Sequence, residues 1–169
     1  FYGDIPGAAG LSSSSALVVS TSEAVLHLNE LQVDPLEQIQ QCGFAEWYVG
    51  TRGGCGDHAA IRLGQPNMIL HMTAFPMEVS SARLSPEYRL VLANSMVEAA
   101  KREGARNIFN DHVASYNFAQ MMLCKSFPQH ADKIEHLRDV NPTTLGVDEA
   151  EIYRLLKTLP SSANRDDIV

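Results

Sequence analysis

Residues 6–17 read PGAAGLSSSSAL, and this segment constrains the fold more than any other part of the chain. Glycines and small residues favour a turn, and serine is a preferred residue at helix N termini. Small and apolar side chains then recur at the spacing of one helix face, at Leu17, Thr21, Ala24, Val25 and Leu28. The sequence therefore predicts a glycine-rich turn that leads into an amphipathic helix over residues 13–29.

Such a turn can bind phosphate, because the first N–H groups of a helix are unpaired and the helix dipole is positive at that end. Serine hydroxyls add donors and one oxygen that can ligate a metal. The P-loop is excluded, because it requires a Gly-Lys-Ser/Thr sequence and no lysine precedes Lys101. On these residues alone, a flexible linker or a merely capped helix start is an equal alternative.

The composition is that of a globular protein, with 45% apolar and 20% charged residues. No window approaches the roughly 18 apolar residues of a membrane span, so the sequence predicts a soluble protein. The net charge of −7 argues against a nucleic-acid surface, which needs clustered lysine and arginine. Cys42, Cys55 and Cys124 are odd in number and lack a Cys-x-x-Cys spacing, which predicts no disulfide framework and a cytoplasmic location. Cys55, His58 and the remote Cys42 supply too few ligands for a zinc site and lack a second closely spaced pair.

A second helix is predicted from Asp34, which can act as its N-cap, with Pro35 at the first helical position and Glu37 at the capping-box position. This helix ends by Gly50. A second glycine-rich loop, TRGGCGDHAAI, follows and is predicted to run into a short helix. One face of the second helix carries Leu36, Ile39, Gly43, Phe44 and Trp47. Phe44, Trp47 and Tyr48 are predicted to be core residues rather than a nucleotide-binding cluster.

The remaining sequence predicts strands and further helices. Residues 1–5 have the composition of a strand end, and strands are predicted over residues 67–72 and 89–94. The region from Pro76 to Pro86 between the last two is interpreted as a domain seam. Helices are predicted over residues 107–125, 131–137 and 148–159, the last with Asp148 as its cap.

The full pattern Pro-x-x-x-Gly-Leu-Ser-Ser-Ser-Ser-Ala resembles the phosphate-binding motif of the GHMP small-molecule kinases. FAEWYVGTRGGCGDHAAI resembles the family segment in which a helix with a metal-binding Glu precedes a glycine-rich turn and an Asp beside the reacting hydroxyl. LVLANSMVEAAKREGARNIFNDHVASYNFA resembles a stretch of the galactokinase-like sugar kinases, where a strand ends in Asn-Ser or Asn-Thr and a loop and long helix follow. These segments cover nearly the whole chain in the family order, which favours the phosphate loop over the linker.

The resemblance implies an α+β chain with the GHMP kinase fold. Residues 1–85 would be the second half of a ribosomal-S5-like N-terminal domain, and residues 86–169 the start of a ferredoxin-like C-terminal domain. The family's N-terminal and C-terminal motifs would lie outside this sequence, so the chain is expected to be the central part of a two-domain kinase that uses ATP and Mg²⁺.

The same resemblance implies individual roles. Asp57 would be the catalytic carboxylate, with helix capping as the alternative role. Ser14 and Glu46 would ligate Mg²⁺, although a single helix glutamate is often only a solvated side chain. The phosphates of ATP would be bound by Gly10, Leu11, Ser12, Ser13, Ser14 and Ser15, mainly through backbone N–H groups. Arg52 is a candidate for a phosphate or sugar oxygen.

The implied reaction is phosphorylation of a monosaccharide hydroxyl, typically the anomeric one, with a small-molecule sugar as the partner. Arg106 stands where galactokinases carry a sugar-binding Tyr, which puts galactose in doubt and favours a polar or acidic sugar such as a uronic acid or a heptose phosphate. A non-catalytic sensor of sugar and ATP is the alternative from another class. Kinases and decarboxylases of isoprenoid precursors are the alternatives within the superfamily.

Overall fold

The computed structural model describes residues 2–7, 9–74, 76–97 and 104–168. It contains seven α-helices and two strands within these ranges. In chain order they are α1 (Ser13–Leu28), α2 (Pro35–Trp47), α3 (Gly56–Leu63), β1 (Met68–Ala74), β2 (Met77–Arg83), α4 (Ala105–Ser126), α5 (Pro142–Leu145), α6 (Glu149–Leu156) and α7 (Arg165–Ile168). Short 3₁₀ turns at Pro128–Lys133 and Leu137–Asp139 follow α4.

The chain divides into two compact units, Phe1–Arg106 and Asn107–Val169. The first unit contains α1 to α3 and both strands. The second contains nearly all of α4 and the helices after it. The mixture of helices and a small sheet agrees with the predicted α+β class, while the ribosomal-S5-like and ferredoxin-like assignments and the boundary after residue 85 stay predictions.

Helices α1 and α2 begin where the sequence predicts. Helix α1 starts at Ser13 after the serine run, and α2 starts at Pro35. The Asp34 carboxylate caps α2 by accepting hydrogen bonds from the backbone N–H groups of Leu36 at 2.9 Å and Glu37 at 3.2 Å. An N-cap carboxylate satisfies first-turn donors that the helix itself leaves unpaired, so this local signal was sufficient to predict the start of α2.

The three helices of the first unit pack against one another around a core that is partly polar. Its buried apolar residues are Val19, Ile39, Cys42 and Ala59, and its buried polar residues are Ser15, Gln38 and His58. A buried polar side chain destabilises a fold unless hydrogen bonds compensate for the lost water. The partners of these polar groups therefore decide how the three helices fit together.

Gln38 on α2 makes contacts to both neighbouring helices. Its amide nitrogen donates to Ser22 Oγ at 3.1 Å and to Glu23 Oε1 at 2.7 Å, both on α1. Its amide oxygen accepts from Arg62 Nε of α3 at 2.9 Å, and Arg62 also pairs with Glu23 at 2.6 Å. One buried amide thus joins all three helices, and a shift of any helix breaks at least one of its hydrogen bonds.

The predicted strand over residues 67–72 is confirmed as β1, which forms an antiparallel hairpin with β2. The hairpin closes at the pair Ala74 and Met77, and the Thr73 hydroxyl donates to the Pro76 carbonyl at 2.8 Å. Half-buried and exposed residues alternate along β1, as in a strand with one covered face. Strand β2 occupies most of the region from Pro76 to Pro86, and the interpretation of that region as a domain seam stays a prediction.

Two predicted strand segments are not strands in the structure. Residues 89–94 have no regular secondary structure, and Leu90, Val91 and Leu92 are exposed. Residues 2–5 are likewise outside any strand, while Phe1 and residues 98–103 lie outside the described residues. A strand requires a neighbour for its N–H and C=O groups, and no described segment pairs with either stretch. Strand-like composition therefore did not predict strand formation there.

The second unit is built around α4 and a compact apolar cluster. The prediction of a helix over residues 107–125 is confirmed by α4, and Asp148 caps α6 through a 2.8 Å hydrogen bond from Glu151 N–H. The segment predicted as a helix over residues 131–137 consists instead of 3₁₀ turns. The cluster is formed by Leu123, Ile134, Val140, Leu145, Ile152 and Leu155.

None of the helices in the described ranges combines the length and the apolar character needed to cross a membrane.

We expect Gln38→Leu in the full-length protein to lower the free energy of unfolding by about 1–3 kcal/mol, because it leaves the polar partners of a buried amide without their hydrogen bonds. Gln41→Leu is the matched control, since Gln41 lies on the same helix but is exposed and bonds only to Glu37. It should change stability by less than about 0.5 kcal/mol. Urea unfolding measures both variants, and equal effects would contradict the role given to Gln38.

Candidate active site

The turn before α1 reverses direction through two residues with left-handed backbone. Gly10 has φ 73°, and Ser12, the N-cap of α1, has φ 52° and ψ 43°. A non-glycine residue in this region is uncommon and carries some strain. The Ser12 side chain makes no capping hydrogen bond, so it leaves the first-turn N–H groups of α1 uncapped. Unpaired N–H groups with a helix dipole behind them attract an anion.

Three helix ends meet at the Glu46 carboxylate in the last turn of α2. Glu46 Oε1 accepts a hydrogen bond from Ser15 Oγ of α1 at 3.2 Å. Glu46 Oε2 lies 3.6 Å from His58 Nε2 of α3. The carboxylate is half-buried, and the two residues that flank it are buried. The contacts bring the N-terminal turns of α1 and α3 to the C-terminal turn of α2.

The other residues predicted for the site lie in or before the first turns of α1 and α3, with different exposures. Ser13 and Ser14 are exposed in the first turn of α1, whereas Ser15 is buried and faces Glu46. Asp57 is exposed in the first turn of α3, directly before the buried His58. Gly10 and Leu11 are exposed and Ser12 is half-buried, while Ala8 of the same motif lies outside the described residues. Their roles toward ATP and Mg²⁺ stay predictions.

Trp47 connects the end of α2 to the loop before α3. Its indole Nε1 donates to the Gly53 carbonyl at 3.0 Å, and the Arg52 guanidinium lies 5.5 Å from its ring centre. Phe44 meets the Trp47 ring edge-on with the centroids 5.0 Å apart. The prediction that these aromatic residues are core is wrong for Phe44, Trp47 and Tyr48, which are exposed in the described structure, Tyr48 by 96%. Trp47 orders the loop from outside the core.

Cys55 lies where α2 and the start of α3 approach most closely. A Cβ atom added to Gly43 of α2 would lie 2.9 Å from Cys55 Cβ, so only glycine fits there without a shift. Partial burial raises the pKa of the Cys55 thiol above its usual value, and a hydrogen bond to its own backbone acts in the opposite direction. All three cysteines are free thiols. In the described ranges, no three His, Cys, Asp or Glu side chains group together as metal ligands.

Arg106, in the first turn of α4, contacts the loop between α2 and α3. Its Nη1 donates to the Val49 carbonyl at 3.2 Å, and the guanidinium lies against Gly50, which has φ 102°. A Cβ at Gly50 would lie 3.0 Å from Arg106 Nη1. Arg106, which stands where the resembling galactokinases carry a sugar-binding Tyr, therefore lies next to the loop that leads to Asp57.

The donor set at the junction fits a divalent cation of the magnesium type. Serine hydroxyl and carboxylate oxygens are hard ligands, and Mg²⁺ needs only one or two of them when phosphates and water fill its other positions. Each Glu46 oxygen has two acceptor sites, and the contact with Ser15 uses only one of those on Oε1. Glu46 therefore keeps acceptor capacity for a cation.

Sequence reasoning missed the two buried partners of Glu46. Ser15 stands four residues before the buried Val19, so helical spacing alone could have assigned it to the inner face of α1. Nothing in the sequence distinguished His58 as buried, because it lies between an exposed Asp57 and Ala59 in a loop-like context. Its position depends on how α3 packs.

Comparison with known proteins agrees with this geometry. Residues 1–65 match the family described as GHMP kinases N terminal domain. This stretch contains both glycine-rich loops, Glu46 and Asp57. Over these residues the chain is therefore similar to the GHMP kinases.

The curated relatives it matches are named galactokinases. The chain is 28% identical to that of Dictyostelium discoideum, over 83% of this chain and 28% of the relative. It is 27% identical to that of Clostridium acetobutylicum, over 99% of this chain and 46% of the relative. For Schizosaccharomyces pombe the identity is 29%, over 81% of this chain and 28% of the relative. The chain thus spans less than half the length of each of these relatives.

We expect Gly43→Ala to lower the free energy of unfolding by about 1–2 kcal/mol, because the added methyl group overpacks the contact with Cys55. Helix propensity alone would change stability by about 1 kcal/mol in the opposite direction. Gly56→Ala is the control, since a Cβ at Gly56 meets nothing within 4 Å. Urea unfolding of the full-length variants measures both effects, and a more stable Gly43→Ala variant would contradict the close α2–α3 contact.

Proposed function

We propose that the protein is an ATP- and Mg²⁺-dependent sugar kinase that transfers the γ-phosphate of ATP to a monosaccharide hydroxyl, most often the anomeric one. The observation that carries the proposal is the junction at Glu46, where two helix N termini meet a carboxylate that hydrogen-bonds to Ser15 and lies beside His58. An anion site and a cation ligand side by side suit a metal–nucleotide complex. The match of residues 1–65 to the GHMP kinases supports the same reading.

The phosphates are bound in this proposal by backbone N–H groups of Gly10, Leu11 and the serines from Ser12 to Ser15. A chain with a net charge of −7 and no P-loop lysine needs such donors, because they bind anions without a basic side chain. Ser14 and Glu46 supply the protein oxygens for Mg²⁺. When bound, Mg²⁺ neutralises charge on the phosphates and favours departure of ADP.

Asp57 is the carboxylate that orients the attacking sugar hydroxyl and accepts its proton. The sugar oxygen forms the new bond to the γ-phosphorus, the bond from the γ-phosphorus to the bridging oxygen breaks, and ADP leaves with that electron pair. An anomeric hydroxyl is more acidic than an ordinary alcohol, so an ordinary exposed carboxylate suffices as the base. Asp57 is exposed in the first turn of α3 and is therefore accessible to a substrate.

Arg106 gives a reason to test acidic sugars beside galactose. Its guanidinium lies at Val49 and Gly50, in the loop that connects α2 to Asp57, and a cation there suits a carboxylate or phosphate on the sugar. The decisive experiment is an ADP-release assay of the full-length protein with free sugars, uronic acids and sugar phosphates. ADP release that depends on one sugar class identifies the substrate, and ATP binding without any turnover would support the non-catalytic sensor instead.

We expect Asp57→Asn to lower turnover by about 10²–10⁴-fold, because the amide cannot accept the hydroxyl proton. ATP affinity should stay nearly unchanged. Asp34→Asn is the control, since it is the same substitution at an N-cap where Asn and Asp are equivalent. Steady-state kinetics and nucleotide titration measure both variants, and near-normal turnover of Asp57→Asn would overturn the proposed role.

We expect Ser14→Ala to raise the Mg²⁺ concentration for half-maximal turnover by at least about tenfold, because it removes a proposed metal ligand. Loss of even a hydrogen-bond partner of a ligand can weaken metal binding by about that factor. Ser13→Ala is the matched control, because Ser13 is the neighbouring exposed serine and is proposed to act only through its backbone N–H. Turnover is measured against Mg²⁺ at saturating ATP and sugar. Equal Mg²⁺ dependence of the two variants would remove Ser14 from the metal site.

A further inference from the structure

His58 is a buried polar side chain whose presence needs an explanation. It lies in the first turn of α3, and its side chain is 1% exposed. Neither ring nitrogen has a hydrogen-bond partner among the described residues. Buried polar groups in native proteins are nearly always paired, and an unpaired one destabilises the fold. A functional role of the imidazole would explain why the protein keeps a side chain that destabilises its fold.

The charged group beside the ring is the Glu46 carboxylate. His58 Nε2 lies 3.6 Å from Glu46 Oε2, which is within ion-pair distance but longer than a hydrogen bond. The other carboxylate oxygen, Oε1, accepts the hydroxyl of Ser15 at 3.2 Å. Glu46 is thus flanked on both sides by donors from the buried faces of two different helices.

We propose that His58 is a positioning residue for Glu46, an inference that rests on the proposed function. With its proton on Nε2, the ring directs one donor at Oε2 while Ser15 directs another at Oε1. Both contacts restrict rotation of the carboxylate and leave its remaining acceptor sites available to the cation that Glu46 and Ser14 would hold. Carboxylates that ligate metals are commonly oriented by neighbouring polar groups.

A purely structural role makes a different prediction. If His58 only fills space between α1 and α2, an apolar side chain of similar size should serve as well or better, because it removes two unpaired polar atoms. His58→Leu separates the two roles. His58→Gln is the rescue variant, since its amide N–H₂ can still donate toward Glu46.

The test measures metal binding directly, so that it does not depend on turnover. Mn²⁺ replaces Mg²⁺, and its binding to the full-length protein with a non-hydrolysable ATP analogue is followed by electron paramagnetic resonance. Turnover against Mg²⁺ and the thermal unfolding midpoint are recorded for the same variants. Gln38→Leu is the matched control, because Gln38 is as buried as His58 and joins the same helices but does not contact Glu46.

We expect His58→Leu to weaken Mn²⁺ binding by about 10-fold or more, with an unfolding midpoint no lower than that of the control. Turnover at saturating Mg²⁺ should fall much less than the Mg²⁺ affinity. His58→Gln should bind Mn²⁺ nearly as well as the wild type. Gln38→Leu should lower the unfolding midpoint and weaken Mn²⁺ binding less than His58→Leu does, because it removes no contact to Glu46.

Several results would overturn the inference. They are unchanged Mn²⁺ binding in His58→Leu, equal losses in His58→Leu and Gln38→Leu, or no rescue by His58→Gln. If the wild-type protein binds Mn²⁺ and nucleotide but phosphorylates no sugar, the proposed kinase activity is refuted. The Mn²⁺ measurements then still test whether His58 positions Glu46. A wild-type protein that binds no Mn²⁺ with nucleotide would refute both.

Discussion

The Gln38 amide is the interaction on which the arrangement of the first unit depends. It donates to Ser22 and Glu23 on α1 and accepts from Arg62 on α3, so one side chain of α2 sets the register of both neighbours. Apolar packing is tolerant of small shifts, whereas a buried amide is satisfied only at specific positions of its partners. The three helices are therefore fixed in a particular arrangement rather than merely associated.

That arrangement determines the geometry at Glu46, one end of the same helix group. Because α1 and α3 are held against α2, Ser15 and His58 reach opposite oxygens of one carboxylate. The first turns of α1 and α3 then lie beside it, with Ser14 and Asp57 exposed. The site combines unpaired N–H groups with carboxylates, which is how an acidic chain can bind a metal–phosphate complex without a basic patch.

Local signals predicted most of the first unit. The serine run, the Asp34 cap with Pro35 and the glycine-rich loop after α2 specified where helices begin and end, since capping depends on neighbouring residues alone. Composition did not predict all the strands correctly, because a strand forms only where another strand pairs with it. Residues 89–94 have strand-like composition but no strand partner among the described residues. Strand β2 went unrecognised because Pro76 and Pro86 on either side of it suggested a break. The exposed Phe44 and Trp47 show that an apolar helix face is buried only where another element covers it.

The sequence by itself determined the two glycine-rich loops, the helices that follow them and the resemblance to the GHMP kinases, because these depend on residues close together in the chain. The roles of Ser14, Glu46 and Asp57 are implied by the resemblance and stay predictions. Only the tertiary structure decided that Ser15 and His58 are the side chains beside Glu46 and that Arg106 lies against the loop after α2. Those contacts join residues 12 to 57 positions apart in the chain, and their geometry exists only once the helices have packed.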